Sequence, residues 1–518
     1  MTSIGPYAAS GIGRPSLTRA LSDLNSTLND LSIQLATGKV SQTYSGLGDG
    51  ATTSLAMRSK LAQISSYQAV TATVNTRVSL MNTTLTRLDD IAAEYKLTDP
   101  NEFMLTSGSV TIAQSQAAVD LKEAIAALNL DVGGRYAFSG RSTDVKPVIS
   151  ADAMLSDADG KSGLRTVINE RKLADLGADG RGRLAVSAAS GGSFSISETG
   201  AGPFGFKISS VSSSMTNGTA TGPTGTPPSA TLGLTGQPNA GEQMRVGLKM
   251  PDGSTTEIVL TAKAADDTSG LNPGEFRIGA DADETAANMQ AAFDGALKTT
   301  ASTELTAASA MQAGEEFFNV PAGSEPARVG GFDGAYATEA DRIAALQSAT
   351  SLDTTDTASK TVSWYVGDND SGDPRLTAAA KIDDGVSVAY GARANEDGPR
   401  RVVQTLAVFS SMTFSADDAD AQARYSALAS RTVSTLGDAK ASEDIQTMAV
   451  DLSQVAGSIK AANDRHSASK VMAEDLVTSV EGAPKEEVAA KILALQNQLQ
   501  ASYQVTANLS QLSLVNFL

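Results

Sequence analysis

The feature that most constrains this chain is a leucine ladder near its start. Leu17, Leu21, Leu24, Leu28, Leu31 and Leu35 are spaced 4-3-4-3-4, the a/d period of a coiled-coil seam. A second apolar run follows Gly46, Gly48 and Gly50 and passes through Leu55, Leu61, Ile64, Val70, Val74, Val78, Met81, Leu85, Leu88 and Ile91. No proline lies between Pro15 and Pro100, so nothing forces either helix to stop early. At the far end Val488, Ile492, Leu495 and Leu499 repeat the spacing, and Leu509 and Leu512 extend it. A long helix with one apolar stripe is unstable alone in water, so each stripe calls for a partner.

The 518 residues suffice for two to four domains. Forty basic against 58 acidic side chains give a net charge of −18. That balance argues against nucleic acid, whose affinity rests on phosphate neutralisation, and against an anionic membrane surface. Cysteine is absent and His466 is the single histidine. Disulfides and thiolate chemistry are excluded, and a His-rich metal site or a Ser-His-Asp triad is disfavoured. The start, MTSIGPYAASGIGRP, lacks the basic and apolar regions of a cleaved signal peptide. No run of 18 apolar residues suggests a membrane span.

In chain order, Ser16 can cap the first helix, and Gly38 ends it. A helix from about Ala51 to Tyr95 would span roughly 65 Å, the length of a rod rather than a compact domain. A third helix is expected over about Thr111 to Leu130, with Val119, Ile125 and Leu128 inward. The texture changes between about 149 and 395. Residues 187–240 are rich in Ser, Gly, Thr and Pro and read as loop, partly disordered. A hairpin follows, with Met244, Val246, Leu248 and Met250 alternating into the turn Pro251-Asp252-Gly253 and Ile258 and Leu260 alternating back. Phe276 and Ile278 suggest another strand. Asp283 is expected to cap a helix that carries Met289, Phe293 and Leu297 on one face. Further strands are expected at Thr361–Val366 and Val386–Tyr390, then helix from Arg400 and a long helical run over about Ala416 to Val480, broken by Pro484.

The fold class is therefore α+β. Long coiled-coil-like N- and C-terminal helical arms, 1–148 and 396–518, would pair as a stalk around a β-rich α+β insert at 149–395. Motifs that could carry chemistry are weak. Asp368 to Asp373 resembles the start of a calcium loop, but Gly372 falls one residue early and Ala379 holds the twelfth position. It reads as a solvated acidic turn, as do Asp157, Asp159 and Gly160. The glycine-rich 177–182 stretch reads as a turn, and the serines of 187–195 lack a nearby base. His466 sits in a polar helical segment and reads as exposed. The expectation is no enzyme, no metal and no cofactor.

The segment from Leu17-Thr-Arg-Ala-Leu21 to Leu35-Ala-Thr-Gly-Lys39, the following SGLGDGATTSLAMRSKL, and the tail Ala501 to Leu518 together resemble the bacterial flagellin family. The resemblance covers roughly 1–148 and 400–518. It implies paired terminal helices as an axial core with variable, surface-exposed domains between. It further implies a subunit secreted by the flagellar type III apparatus without a cleaved signal peptide, aided by an export chaperone and polymerising extracellularly for motility. The implied partners are other copies of itself, hook and hook-associated proteins, and flagellin. The implied self-assembly residues are Leu17, Leu21, Leu24, Leu28, Leu31, Leu35, Val488, Ile492, Leu495, Leu499, Leu509 and Leu512. Gly134-Arg-Tyr-Ala-Phe-Ser-Gly140 with Thr143 and Pro147 is similar to the hook–filament junction members, whereas the insert around 164–300 is similar to large bulk flagellins. The junction type is favoured on its motif, and the bulk filament stays open. From another class, a stalked surface adhesin with a glycan-binding insert is the competing expectation.

Overall fold

The computed structural model describes residues 13–96, 99–106 and 108–515. In chain order the helices and strands begin with α1 (Gly13–Thr37), α2 (Gly50–Tyr95), α3 (Ile112–Leu128), α4 (Ala151–Leu155) and α5 (Leu164–Leu176). Eight strands follow: β1 (Leu184–Val186), β2 (Ser193–Glu198), β3 (Lys207–Ser213), β4 (Gly218–Thr224), β5 (Ser229–Leu234), β6 (Gln243–Lys249), β7 (Thr255–Lys263) and β8 (Glu275–Arg277). Then come α6 (Ala282–Thr300), a π-turn over Ala301–Leu305, and α7 (Thr306–Phe318). β9 (Arg328–Val329), α8 (Glu339–Ser348), β10 (Leu352–Asp353), β11 (Ala379–Asp383) and β12 (Val386–Ala389) precede the closing helices. These are α9 (Asp397–Ser411), α10 (Ala421–Gly437), α11 (Ala439–Glu481) and α12 (Lys485–Val515). The chain is thus a mixture of helix and sheet, an α+β protein.

The chain divides into two compact units, 1–73 with 381–387 and 458–518, and 74–380 with 388–457. The first is helical. α1 lies along α12, and the two run antiparallel because the end of one meets the start of the other. Lys39 bridges Gly482, the Val40 N–H donates to Glu481 O at 2.7 Å, and the Ala483 N–H donates to Gly38 O at 2.9 Å. Gly38 takes φ +66°, the left-handed residue that closes a helix without a Cβ clash.

The second unit holds two four-stranded sheets, in the orders β1-β2-β5-β4 and β3-β6-β7-β8, antiparallel except for the β7–β8 pair. The β6–β7 register pairs Met244 with Leu260 and Val246 with Ile258. The expected hairpin therefore puts its alternating apolar residues on one buried face. Phe194, Ile196, Phe276, Met289, Phe293 and Leu297 complete that core.

Several expectations are corrected. Residues 187–240 hold four whole strands, β2 to β5, and are not mainly loop. The Thr-rich β4 contains Pro223 because it is an edge strand, where no partner needs the missing N–H. Asp281, not Asp283, caps α6 by accepting the Glu284 N–H at 2.9 Å, whereas Asp283 accepts the Gly192 N–H. Thr361–Val366 forms only isolated bridges, Thr361 to Ser162 and Tyr365 to Val148, because no continuous strand lies beside it. The expected single helix over Ala416 to Val480 breaks at Asp438, whose extended backbone separates α10 from α11. Val119 is 58% exposed, although Ile125 and Leu128 are buried. α3 starts on a capping box from Thr111 and Gln114, which sets its inward face. α1 begins at Gly13, so Ser16 is inside it rather than before it.

Candidate functional site: the paired terminal helices

The helical unit gathers most of the predicted assembly residues. Leu21, Leu24, Leu28 and Leu31 of α1 are half-buried, as are Ile492 and Leu495 of α12. Val488 and Leu499 are buried, at 4% and 7% exposure. Leu35 is exposed at 37%, so it does not join the seam. The side chains of Leu17, Leu509 and Leu512 lie outside the described residues. The two stripes are thus partly spent on each other. What remains on water is a second apolar set, which includes Ile33, Leu55, Val471, Met472, Leu493 and Tyr503. Most of the large exposed apolar side chains among the described residues belong to this helical unit, although it is much the smaller of the two.

The corner where α1, α2 and α11 meet is fixed by Glu481, a residue with no signal in the sequence because its partners lie more than 400 residues away. Its carboxylate takes two N–H donors from Arg58, Nε at 2.7 Å and Nη2 at 2.6 Å, together with the Ser54 hydroxyl. The hydrogen bonds from Arg58, then that from Ser54, hold the Glu481 carboxyl down at about 2. Glu481 O also accepts the Val40 N–H. One residue therefore ties the α1–α2 loop, α2 and the end of α11 together.

His466 corrects the sequence reading. It is buried at 4% exposure, not exposed. Its ring stacks on Tyr67 with centroids 5.4 Å apart, and its Nε2 lies 2.8 Å from Ile382 O. A carbonyl only accepts, so Nε2 carries the proton. Arg465 donates to Asp383 at 2.9 Å and, with the Asp384 N–H, holds that carboxyl below its ordinary range. Thr71 donates to Asn463 at 2.7 Å. The short β11–β12 turn, 381–387, is clamped on α2 and α11 by these groups.

Several buried ionic groups of the second unit are paired. Arg328 bonds Glu170 at 2.7 Å, and both are buried. Burial pushes the Glu170 carboxyl up against the pull of Arg328. Arg171 bonds Asp175 at 2.9 Å and also Glu316. The Asp368–Asp373 turn is not merely solvated. Asp368 and Asp370 both bind the buried Arg393, which the sequence reading missed because Arg393 lies beyond the loop. The 177–182 and 157–160 stretches are turns, with positive φ at Gly177, Gly180, Gly182 and Gly160.

Among the described residues no group of three or more His, Cys, Asp or Glu side chains is placed to hold a metal ion, and no helix is long and apolar enough to cross a membrane. The helical unit holds two stretches near the chain ends together and offers apolar surface. No protein-family profile, curated protein or solved structure matches this chain.

Proposed function

We propose that this chain is a structural subunit of the bacterial flagellum, exported and self-assembling through its terminal helices, with α1 and α12 as part of a coiled-coil-like stalk. One observation carries the proposal. The helices from the two ends pair antiparallel, yet Leu35, Leu55, Leu493 and Tyr503 stay on water at 37–63% exposure. Full burial of such a side chain from water is worth about 1.5–3 kcal/mol, so covering the part still exposed contributes roughly 0.5–2 kcal/mol each, and several of them together supply a driving force for association with neighbouring copies. The resemblance of 1–148 and 400–518 to flagellins supplies the class of assembly. Hook, hook-associated proteins and flagellin are then the partners, with an export chaperone to cover the apolar surface beforehand. The role is extracellular and needs no cofactor or catalysis.

Within this class we assign the chain to the hook–filament junction, on the Gly134 to Pro147 stretch. Use along the whole filament is the second reading, favoured by the resemblance of 164–300 to the inserts of large flagellins. Removing residues 501–518 should leave a folded, soluble protein that no longer joins the flagellum; normal incorporation of that truncation would defeat the proposal. Fluorescent labelling in cells separates the two positions: signal confined to the hook end supports the junction, and signal along the filament supports bulk flagellin.

A further inference from the structure

The chain has 13 methionines and no cysteine, so its oxidant-sensitive sulfurs are all thioethers. They are unevenly placed. Nine are buried, and all nine belong to the second unit. Among the described residues the helical unit holds Met57, half-buried on α2, and Met472 on α11. Met472 is 67% exposed, more than any other large apolar side chain among the described residues.

The surroundings of Met472 are apolar. Ala468 and Leu476 lie one turn before and one turn after it on the same side of α11, and Leu476 and the adjacent Val471 are exposed as well. Lys470 and Glu474, two residues away in either direction, pair with each other on the opposite side of the helix. Leucine at this position would offer a neighbouring copy the same apolar area. Methionine adds a sulfur whose polarity changes on oxidation. Hydrogen peroxide gives one oxygen to the thioether. The O–O bond breaks, an S–O bond forms, and the leaving hydroxide takes the proton of the transferred oxygen and departs as water. Sulfur is oxidised by two electrons and the peroxide is reduced by two. The product is a sulfoxide, whose oxygen accepts hydrogen bonds. On the free monomer water satisfies that oxygen. Inside a contact between copies it loses its water, and an unmet polar group there opposes association.

We propose that Met472 is a peroxide-sensitive modification site that governs assembly: the thioether form associates with neighbouring copies and the sulfoxide form does not. The inference rests on the assembly role proposed above. The buried methionines of the second unit are shielded, so the same oxidant leaves that unit's core intact.

The full chain is treated with hydrogen peroxide as a monomer, its peptides are read by mass spectrometry, and it is sedimented over a concentration series. Met472 and Met104, which is 53% exposed, should be oxidised before the nine buried methionines. The concentration needed to polymerise should rise about tenfold or more, the effect of one unmet polar group, with urea unfolding of the monomer unchanged. Methionine sulfoxide reductases A and B should reverse the rise. In Met472→Leu, peroxide still oxidises Met104 but should leave the polymerisation concentration of that variant where it was. Should peroxide unfold the chain, Met472→Gln, which places a permanent polar group at the same point, serves in place of the oxidised protein. Polymerisation of the oxidised protein, or of Met472→Gln in its place, at the concentration of the untreated wild type overturns the proposal, as does a Met472→Leu variant as sensitive to peroxide as the wild type. Either result leaves the assembly role standing. Untreated protein that never polymerises defeats the assembly role, and this inference with it.

Discussion

Tyr67 and His466, 399 positions apart in the chain, stack with an interplanar angle of 15° and centroids 5.4 Å apart. The contact fixes α2 against α11 and presents the imidazole Nε2 to Ile382 O at the β11–β12 turn. A single side chain thus joins three separate segments. His466→Ala removes the ring stack and the hydrogen bond together and should cost about 1–3 kcal/mol. Urea unfolding checks the magnitude. Hydrogen exchange should show the backbone of 381–387 losing protection while the β6–β7 hairpin keeps it.

Glu481 gives a pH signature. Its carboxyl sits at about 2 in the fold, against an ordinary 4.5. A carboxyl lowered by folding stabilises the native state above the ordinary value, and the contribution is lost as the pH falls through the folded value. Wild type and Glu481→Gln should therefore differ by a constant stability at neutral pH. The gap should narrow below about 4.5 and close near 2. Urea unfolding of both proteins across this range tests it. A gap unchanged down to pH 2 would show that the Arg58 pair does not hold the carboxylate.

Gln114 closes the end of another helix. Its Nε2 donates to Phe409 O at 2.8 Å and to Met412 O at 2.7 Å, satisfying carbonyls that the last turn of α9 leaves open. Gln114→Leu keeps the volume but orphans those carbonyls in a buried place. The expected loss is about 1–3 kcal/mol, read from thermal or urea unfolding. Gln114→Glu should lose as much, because a carboxylate cannot donate.

Periodicity made the long helices and the Met244–Leu260 hairpin readable, because their apolar spacing repeats over many residues. The β2 strand was also written in its sequence, with Phe194 and Ile196 alternating with serines, but the Gly, Thr and Pro around it masked the pattern. Val119 misled because helical spacing alone does not say which apolar residue faces inward when the neighbours are small. His466 and Glu481 carried no signal at all. Their surroundings come from chain segments hundreds of residues away, and only the folded chain brings Tyr67, Ile382 and Arg58 beside them.

The two faces of α12 should separate stability from assembly. Leu499 is 7% exposed and Leu493 is 63% exposed. Leu499→Ala opens the seam and should cost about 2–4 kcal/mol of stability. Leu493→Ser touches no core and should change stability by about 0.5 kcal/mol or less. If Leu493 is covered in the assembly, its loss withdraws about 1–2 kcal/mol per contact, the share that its 63% exposure leaves to bury. The concentration needed to polymerise should then rise roughly tenfold or more, at 1.4 kcal/mol per factor of ten. Sedimentation of wild type and both variants over a concentration series, beside urea unfolding of each monomer, makes the comparison. Polymerisation of Leu493→Ser at the wild-type concentration would show that this face of α12 stays on water in the assembled state.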